Sequence, residues 1–197
     1  MKPYIYAQKN GTYLIDLDKT VEAMEKAVTF LETVKKNNGQ VLVVGTKPQT
    51  SFVIKKMLTD QDKVHYVDAK WSPGLITNWG EIKERVNQYK TLKQQFETDE
   101  IMKYTKKEVA VFRKELDKLD RTYHGVAGLK KRPDVLIALD AVGNRNAILE
   151  AHKAGIPVIA IVDVNANPDK ITYPIPANDD SVKSVEYILK KLVSVIS

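Results

Sequence analysis

Two carboxylates carry the first chemical suggestion in this chain. Asp140 follows the apolar run 135–139, and Asp163 follows the run 157–162. Acids at the ends of two buried strands stand where open α/β sheets present their ligands. If those strands are neighbours, the pair could share a Mg²⁺, or one of them could act as a base. Asp is equally suited to capping turns and helix N-termini. No histidine or phosphate loop accompanies these two. Gly45-Thr46-Lys47 is the second candidate, because a glycine turn ahead of a helix can cradle a phosphate, whether of a nucleotide or of RNA. Its spacing is neither that of a Walker loop nor the Gly-x-Gly-x-x-Gly of dinucleotide sites. These residues leave open a Mg-dependent α/β enzyme acting on a phosphorylated small molecule.

Other chemistry is sparse. His65, His124 and His152 are far apart and form no ligand spacing. The chain has no cysteine, which excludes disulfides, thiolate zinc sites and cysteine nucleophiles and fits a reducing compartment. Neither His-Glu-x-x-His nor Gly-x-Ser-x-Gly occurs. Trp71 and Trp79 flank a Pro-Gly turn and suit either packing anchors or base-stacking platforms. A net charge of +6 favours an anionic partner, nucleic acid first.

The elements that must position these residues follow from periodicity. Residues 4–7 and 12–17 flank Asn10-Gly11, a hairpin signal because a type I′ turn needs positive φ twice. Residues 18–38 read as a helix with the stripe Val21, Met24, Val28, Leu31 and Val34, a start capped by Asp18 or Thr20, and a left-handed end at Asn38-Gly39. Apolar runs at 40–45, 64–67, 135–139 and 157–162 read as buried strands. Helices at 50–60, 144–154 and 179–196 alternate with them, which predicts right-handed crossovers and a parallel sheet. The stretch 156–180 holds a strand, a loop with Asn-rich turns, a short extended piece and the start of the last helix.

Residues 78–123 differ in character. Ile82, Val86, Tyr89, Leu92 and Phe96 form one stripe, and Val109, Phe112, Leu116, Leu119 and Tyr123 form another. Thr105 and Glu108 have the form of a capping box. Two amphipathic helices joined by a short break predict an antiparallel coiled-coil hairpin with basic outer faces. Such a mixed charge run also serves as a merely solvated face. The expected organisation is an α/β globular domain over 1–77 and 124–197, with 78–123 inserted. With 197 residues, 43% hydrophobic and 28% charged, the chain has the size and composition of one globular domain plus an appendage. No apolar run approaches the roughly 20 residues of a membrane span, and the N-terminus has neither a signal core nor a transit-peptide composition.

A family resemblance rests on particular residues: Met1-Lys-Pro-Tyr-Ile-Tyr6, Ile15-Asp-Leu17, Val43-Val-Gly-Thr-Lys47, Trp71 through Asn78, Tyr104-Thr-Lys-Lys-Glu108, Arg113-Lys-Glu-Leu116, Gly125 through Asp134, and above all Ile156 through Asp180. In that order, and across the whole chain, they resemble the universal second protein of the small ribosomal subunit in its bacterial and organellar form. The resemblance implies a flavodoxin-like parallel sheet wrapped by helices, with an inserted coiled-coil hairpin. It implies a structural role without catalysis or cofactor. The partners it implies are small-subunit rRNA, neighbouring ribosomal proteins and the large mRNA-binding ribosomal protein, with no membrane. The setting is a bacterial cytoplasmic ribosome, or alternatively a mitochondrial or plastid one. The sequence departs from the family in four places. The family pattern expects a basic segment ahead of Met1 and an acidic C-terminal extension, neither of which lies within residues 1–197, while Trp71-Ser72-Pro73-Gly74 replaces Trp-Leu-Gly-Gly and Pro48 replaces a basic residue.

The charge and the resemblance together nominate Lys2, Lys47, Lys70, Lys83, Arg85, Lys106, Lys107 and the consecutive Lys130-Lys131-Arg132 as rRNA contacts. Cations of this kind bind phosphates and read few bases.

Overall fold

Short runs of alternating large apolar residues build one sheet with two buried faces. A computed structural model gives the fold and describes residues 4–9, 11–59 and 64–196. The sheet comprises β3 (Val41–Val44), β4 (Val64–Val67), β5 (Val135–Ala138), β6 (Val158–Val162) and β7 (Tyr173–Pro176). Its order is β4-β3-β5-β6-β7, with every pair parallel. This is the doubly wound order of flavodoxin-type sheets, and the strand order reverses between β3 and β5. The predicted mixed α/β fold with a parallel sheet flanked by helices is therefore found. β1 (Ile5–Lys9) and β2 (Thr12–Ile15) form a separate antiparallel ribbon. Asn10, on which the predicted turn type depends, lies outside the described residues, whereas Gly11 has φ +78°.

One face of the sheet carries Val41, Val43, Val135, Ile137, Ile159 and Ile161. Packed against it are α1 (Leu17–Lys36), α2 (Pro48–Leu58) and α6 (Val182–Ile196). The opposite face carries Leu42, Val44, Leu136, Ala138, Val158, Ala160 and Val162. It is covered by α5 (Arg145–Lys153), by Leu75 and Ile76, and by residues of α3 (Trp79–Glu97) and α4 (Lys106–Tyr123). A strand buried on both faces has no polar side, which is why these runs read as continuous apolar sequence.

Several local expectations are corrected. The cap of α1 is Asp16, whose carboxylate accepts from the Asp18 and Lys19 amides at 3.1 and 3.4 Å. Thr20 instead donates its hydroxyl to the Pro176 carbonyl at 2.6 Å, tying α1 to β7. Val21 is half exposed, and Ala27 takes the buried place on the stripe. The short extended piece of the sequence reading is β7, paired in parallel to β6.

Candidate nucleic-acid interface

The sheet's C-terminal edge decides whether the strand-end acids form a reactive site. Gly45, Thr46 and Lys47 follow β3, and Asp140 follows β5, so they meet where the strand order reverses. The Lys47 ammonium lies 3.3 Å from Asp140 Oδ2, 2.8 Å from Asp179 Oδ1 and 3.2 Å from Asp180 Oδ1. Asp140 is fully buried, and its Oδ1 accepts from the Val142 and Gly143 amides at 2.8 and 3.0 Å. Thr46 donates to Asn144, which in turn donates to the Asp140 carbonyl. Thus the place where related sheet orders hold a ligand is occupied by the protein's own cation and turn.

Charge follows the same geometry. Burial alone would lower the pKa of Lys47, but the Asp179 hydrogen bond and the charge of Asp140 outweigh it and raise it. Asp179 is pushed up to about 6, first by burial and then by the neighbouring Asp140, with Lys47 opposing. One ammonium shared among three carboxylates leaves negative charge in excess, so the upward direction for Asp179 is the one that the geometry supports.

Gly45 has a packing role here. A Cβ there would lie 2.8 Å from Thr50 Cβ and 2.9 Å from Ile54 Cδ1. The first turn of α2 also begins with Pro48, which has no amide proton to offer a phosphate. Asp163 is used locally, accepting from the Val164 amide at 2.6 Å. Among the described residues, no three His, Cys, Asp or Glu side chains converge as a metal site needs.

A residue absent from the sequence reading organises the 71–77 loop. The Glu150 carboxylate on α5 accepts from Trp71 Nε1 at 2.9 Å, from the Gly74, Ile76 and Thr77 amides at 2.9, 3.2 and 3.4 Å, and from the Thr77 hydroxyl at 3.3 Å. Burial works against its charge, yet these donors outweigh burial and hold its pKa below the ordinary value. Trp71 is buried in the core between sheet and loop, as the anchor alternative requires. His65 is buried and its pKa is lowered by burial. His124 reaches Asp68 Oδ1 at 3.4 Å, while Lys55 lies 3.5 Å from Asp68 Oδ2.

The nominated cations fall in different places. Lys2 lies outside the described residues. Lys47 is turned inward to its carboxylates. Lys70 is exposed just past β4, and Lys83 and Arg85 are exposed on α3. Lys106 and Lys107 occupy the first turn of α4, where the helix dipole disfavours cations, beside the capping box of Thr105 and Glu108. Lys130, Lys131 and Arg132 are exposed at the opposite end of the sheet. There the Gln40 side chain accepts from the Lys130 and Lys131 amides at 3.1 and 3.0 Å. Lys131 also pairs with Asp134 at 2.8 Å.

On α4 three acids are engaged by neighbouring groups, while Asp117 stays among the bases of the outer face. Glu108 is bound to Thr105, Glu115 accepts from Gln88 of α3, and Asp120 accepts from Tyr89 of α3. Arg113 stands 5.3 Å over the Phe96 ring. Lys114, Lys118 and Arg121 remain exposed. The outer face of α4 is more cationic than its composition alone suggests.

A sheet edge filled by its own ion cluster and dispersed external cations describe a scaffold, and comparison with known proteins says which one. Residues 1–197 match the family model described as ribosomal protein S2. The chain belongs to the ribosomal protein S2 family. It is similar to small ribosomal subunit protein uS2 of Fusobacterium nucleatum, 39% identical over 198 residues covering 100% of this chain and 79% of that protein. It is similar to the uS2 protein of Coprothermobacter proteolyticus, 41% identical over 196 residues, at 100% and 73% coverage. The uS2c protein of Rhodomonas salina is 37% identical over 197 residues, at 100% and 81% coverage. Members of the S2 family are structural proteins and not enzymes, which agrees with the filled reversal point. The pairing of Lys47 with Asp179 had no sequence signal, because 132 residues separate them. Glu150 had none either, being one glutamate within an ordinary amphipathic helix.

Proposed function

We propose that this S2-family protein is a structural constituent of a small ribosomal subunit, supporting translation by binding rRNA through phosphate contacts and by holding neighbouring ribosomal proteins. The observation that carries this reading is the match of the entire chain, residues 1–197, to the ribosomal protein S2 family. The setting is a bacterial cytoplasmic ribosome or, with relatives such as the uS2c protein in view, an organellar one. Lys70, Lys83, Arg85, Lys106, Lys107, Lys130, Lys131 and Arg132 are the phosphate contacts of this reading, together with Lys2. Lys47 belongs instead to the internal carboxylate cluster, where its charge is already matched. Sucrose-gradient sedimentation with mass spectrometry of the fractions tests the reading. The protein is expected in the small-subunit peak at moderate salt, and its absence there would sink the proposal.

Residues 78–123 are the inserted unit of this reading, an antiparallel coiled-coil hairpin on an α/β domain made of 1–77 and 124–197. Supporting this are the bonds Gln88–Glu115 and Tyr89–Asp120 and the Arg113–Phe96 stack, which join α3 to α4 along their length. The hairpin reaches a protein partner, with the large mRNA-binding ribosomal protein as the candidate. Deletion of residues 88–113 is expected to leave the subunit short of that neighbour. Subunits that retain every neighbour would remove this part of the reading.

A further inference from the structure

The loop after β4 and the outer face of α4 enclose a groove of about 510 Å³ between Lys70 and Lys114, Lys118 and Arg121. Positions 114, 118 and 121 stand four and three residues apart, so they share one face of the helix. Among the described residues, none of the four cations forms an ion pair in the folded chain. Asp117 is the acid in the lining. One carboxylate and the half-charge at the α4 C-terminus do not neutralise four cations. The other acids of α4 are engaged with Thr105, Gln88 and Tyr89, as described above. Lys118 also lines an adjoining groove where Arg85 is balanced by Glu81 and Glu115, so the unmatched positive charge stays with the first groove.

We propose that this groove is a seat for the sugar–phosphate backbone of a single rRNA segment, with Lys70 gripping from the loop and Lys114, Lys118 and Arg121 from α4. The proposal rests on the rRNA-binding reading and adds to it three residues not nominated from sequence. Seven helical residues between Lys114 and Arg121 span about 10 Å. That length matches roughly three successive charges along one strand of a duplex. No aromatic side chain lines the groove to stack a base, so it grips without reading sequence.

The test uses the full chain and small subunits stripped of their own S2-family protein, with rebinding followed across a KCl series. The variant K70Q/K114Q/K118Q/R121Q is compared with K153Q/K183Q/K190Q/K191Q, which removes the same charge from α5 and α6. Wild type is expected to rebind. The groove variant should lose at least tenfold in affinity, with its log-affinity against log-salt slope flattened by about 2–4, since each phosphate contact contributes about 0.7–0.9. The control variant should lose less than threefold. Equal losses in both variants, or none in the groove variant while wild type rebinds, overturn the groove and leave the ribosomal reading standing. Wild type that fails to rebind at any salt overturns the reading and the groove with it. Because the chain contains no cysteine, Lys118→Cys carrying a photoreactive label reports the occupant directly. Cross-links to rRNA support the proposal, and cross-links to protein alone overturn it.

Discussion

At the scale of single residues, the buried Asp179 and the half-buried Glu150 respond to pH with opposite signs. The folded pKa of Asp179, about 6, lies above its ordinary value of 3.8. The folded state therefore holds this proton more tightly, and the stability it brings is full at low pH and lost as pH rises from about 4 to 6. Asp179→Asn removes the titration. Relative to wild type, this variant should gain on the order of 2 kcal/mol between pH 4 and pH 7, read from urea midpoints. A difference independent of pH would refute the assignment. Lys47→Met removes the cation shared by Asp140, Asp179 and Asp180, and Asp140 is fully buried. An unpaired buried charge costs about 3–5 kcal/mol, so a large loss is expected at pH 7 in thermal or urea unfolding. Glu150 is the opposite case, with its folded pKa below the ordinary 4.5. Its contribution is present above that value and lost as pH falls. Glu150→Gln should cost about 1–3 kcal/mol at pH 7, read from urea midpoints, because the Trp71 indole and the amides of the 74–77 loop lose a charged acceptor.

Among the elements, α4 depends most on its own local signals. Only Leu119 and Tyr123 of this helix are buried. Little tertiary packing holds its N-terminal half, so its cap has to carry more of the stability there. Thr105→Ala should cost about 1 kcal/mol. The loss should appear as faster amide hydrogen exchange in the first turns of α4, with the sheet amides unchanged; uniform acceleration everywhere would contradict a local role. That cap was legible in the sequence because a capping box is a four-residue pattern. The buried strands were legible because a run covered on both faces is apolar throughout. β7 was legible only as an extended piece, since Tyr173-Pro174-Ile175-Pro176 holds two prolines and only an edge strand tolerates them. The α1 cap stands at Asp16 rather than at Asp18 or Thr20, and Thr20, which donates to the Asp16 carbonyl at 3.1 Å, also reaches Pro176 of β7 across 156 residues, a contact that only the folded sheet provides. Glu150 and the Lys47 cluster were illegible for the same reason, since their partners are brought close only by the finished sheet. The engagement of Glu115 and Asp120 by Gln88 and Tyr89 required knowing which face of α4 meets α3.

For the whole molecule, the question is how many independent grips the chain has on an anion. Lys130, Lys131 and Arg132 sit beside Gln40 and Asp134, which precede β3 and β5 and so mark the N-terminal end of the sheet. Lys70 follows β4 at the C-terminal end. Four strand residues at about 3.3 Å each separate those ends by roughly 13 Å, before side chains are counted. Sites further apart than about 7–10 Å with no shared partners usually act additively. Neutralising Lys130, Lys131 and Arg132 to Gln should therefore weaken subunit rebinding and flatten its salt slope by about 2–3. Little fold stability should be lost, because only Lys131 gives up an ion pair, and that pair is exposed. Combined with the groove variant, the fold-losses should multiply and the slope changes should add. A combined loss no larger than that of either set alone would mean that both ends answer to one limiting contact. The basic surface would then act as a single long-range field rather than as two separate grips on rRNA.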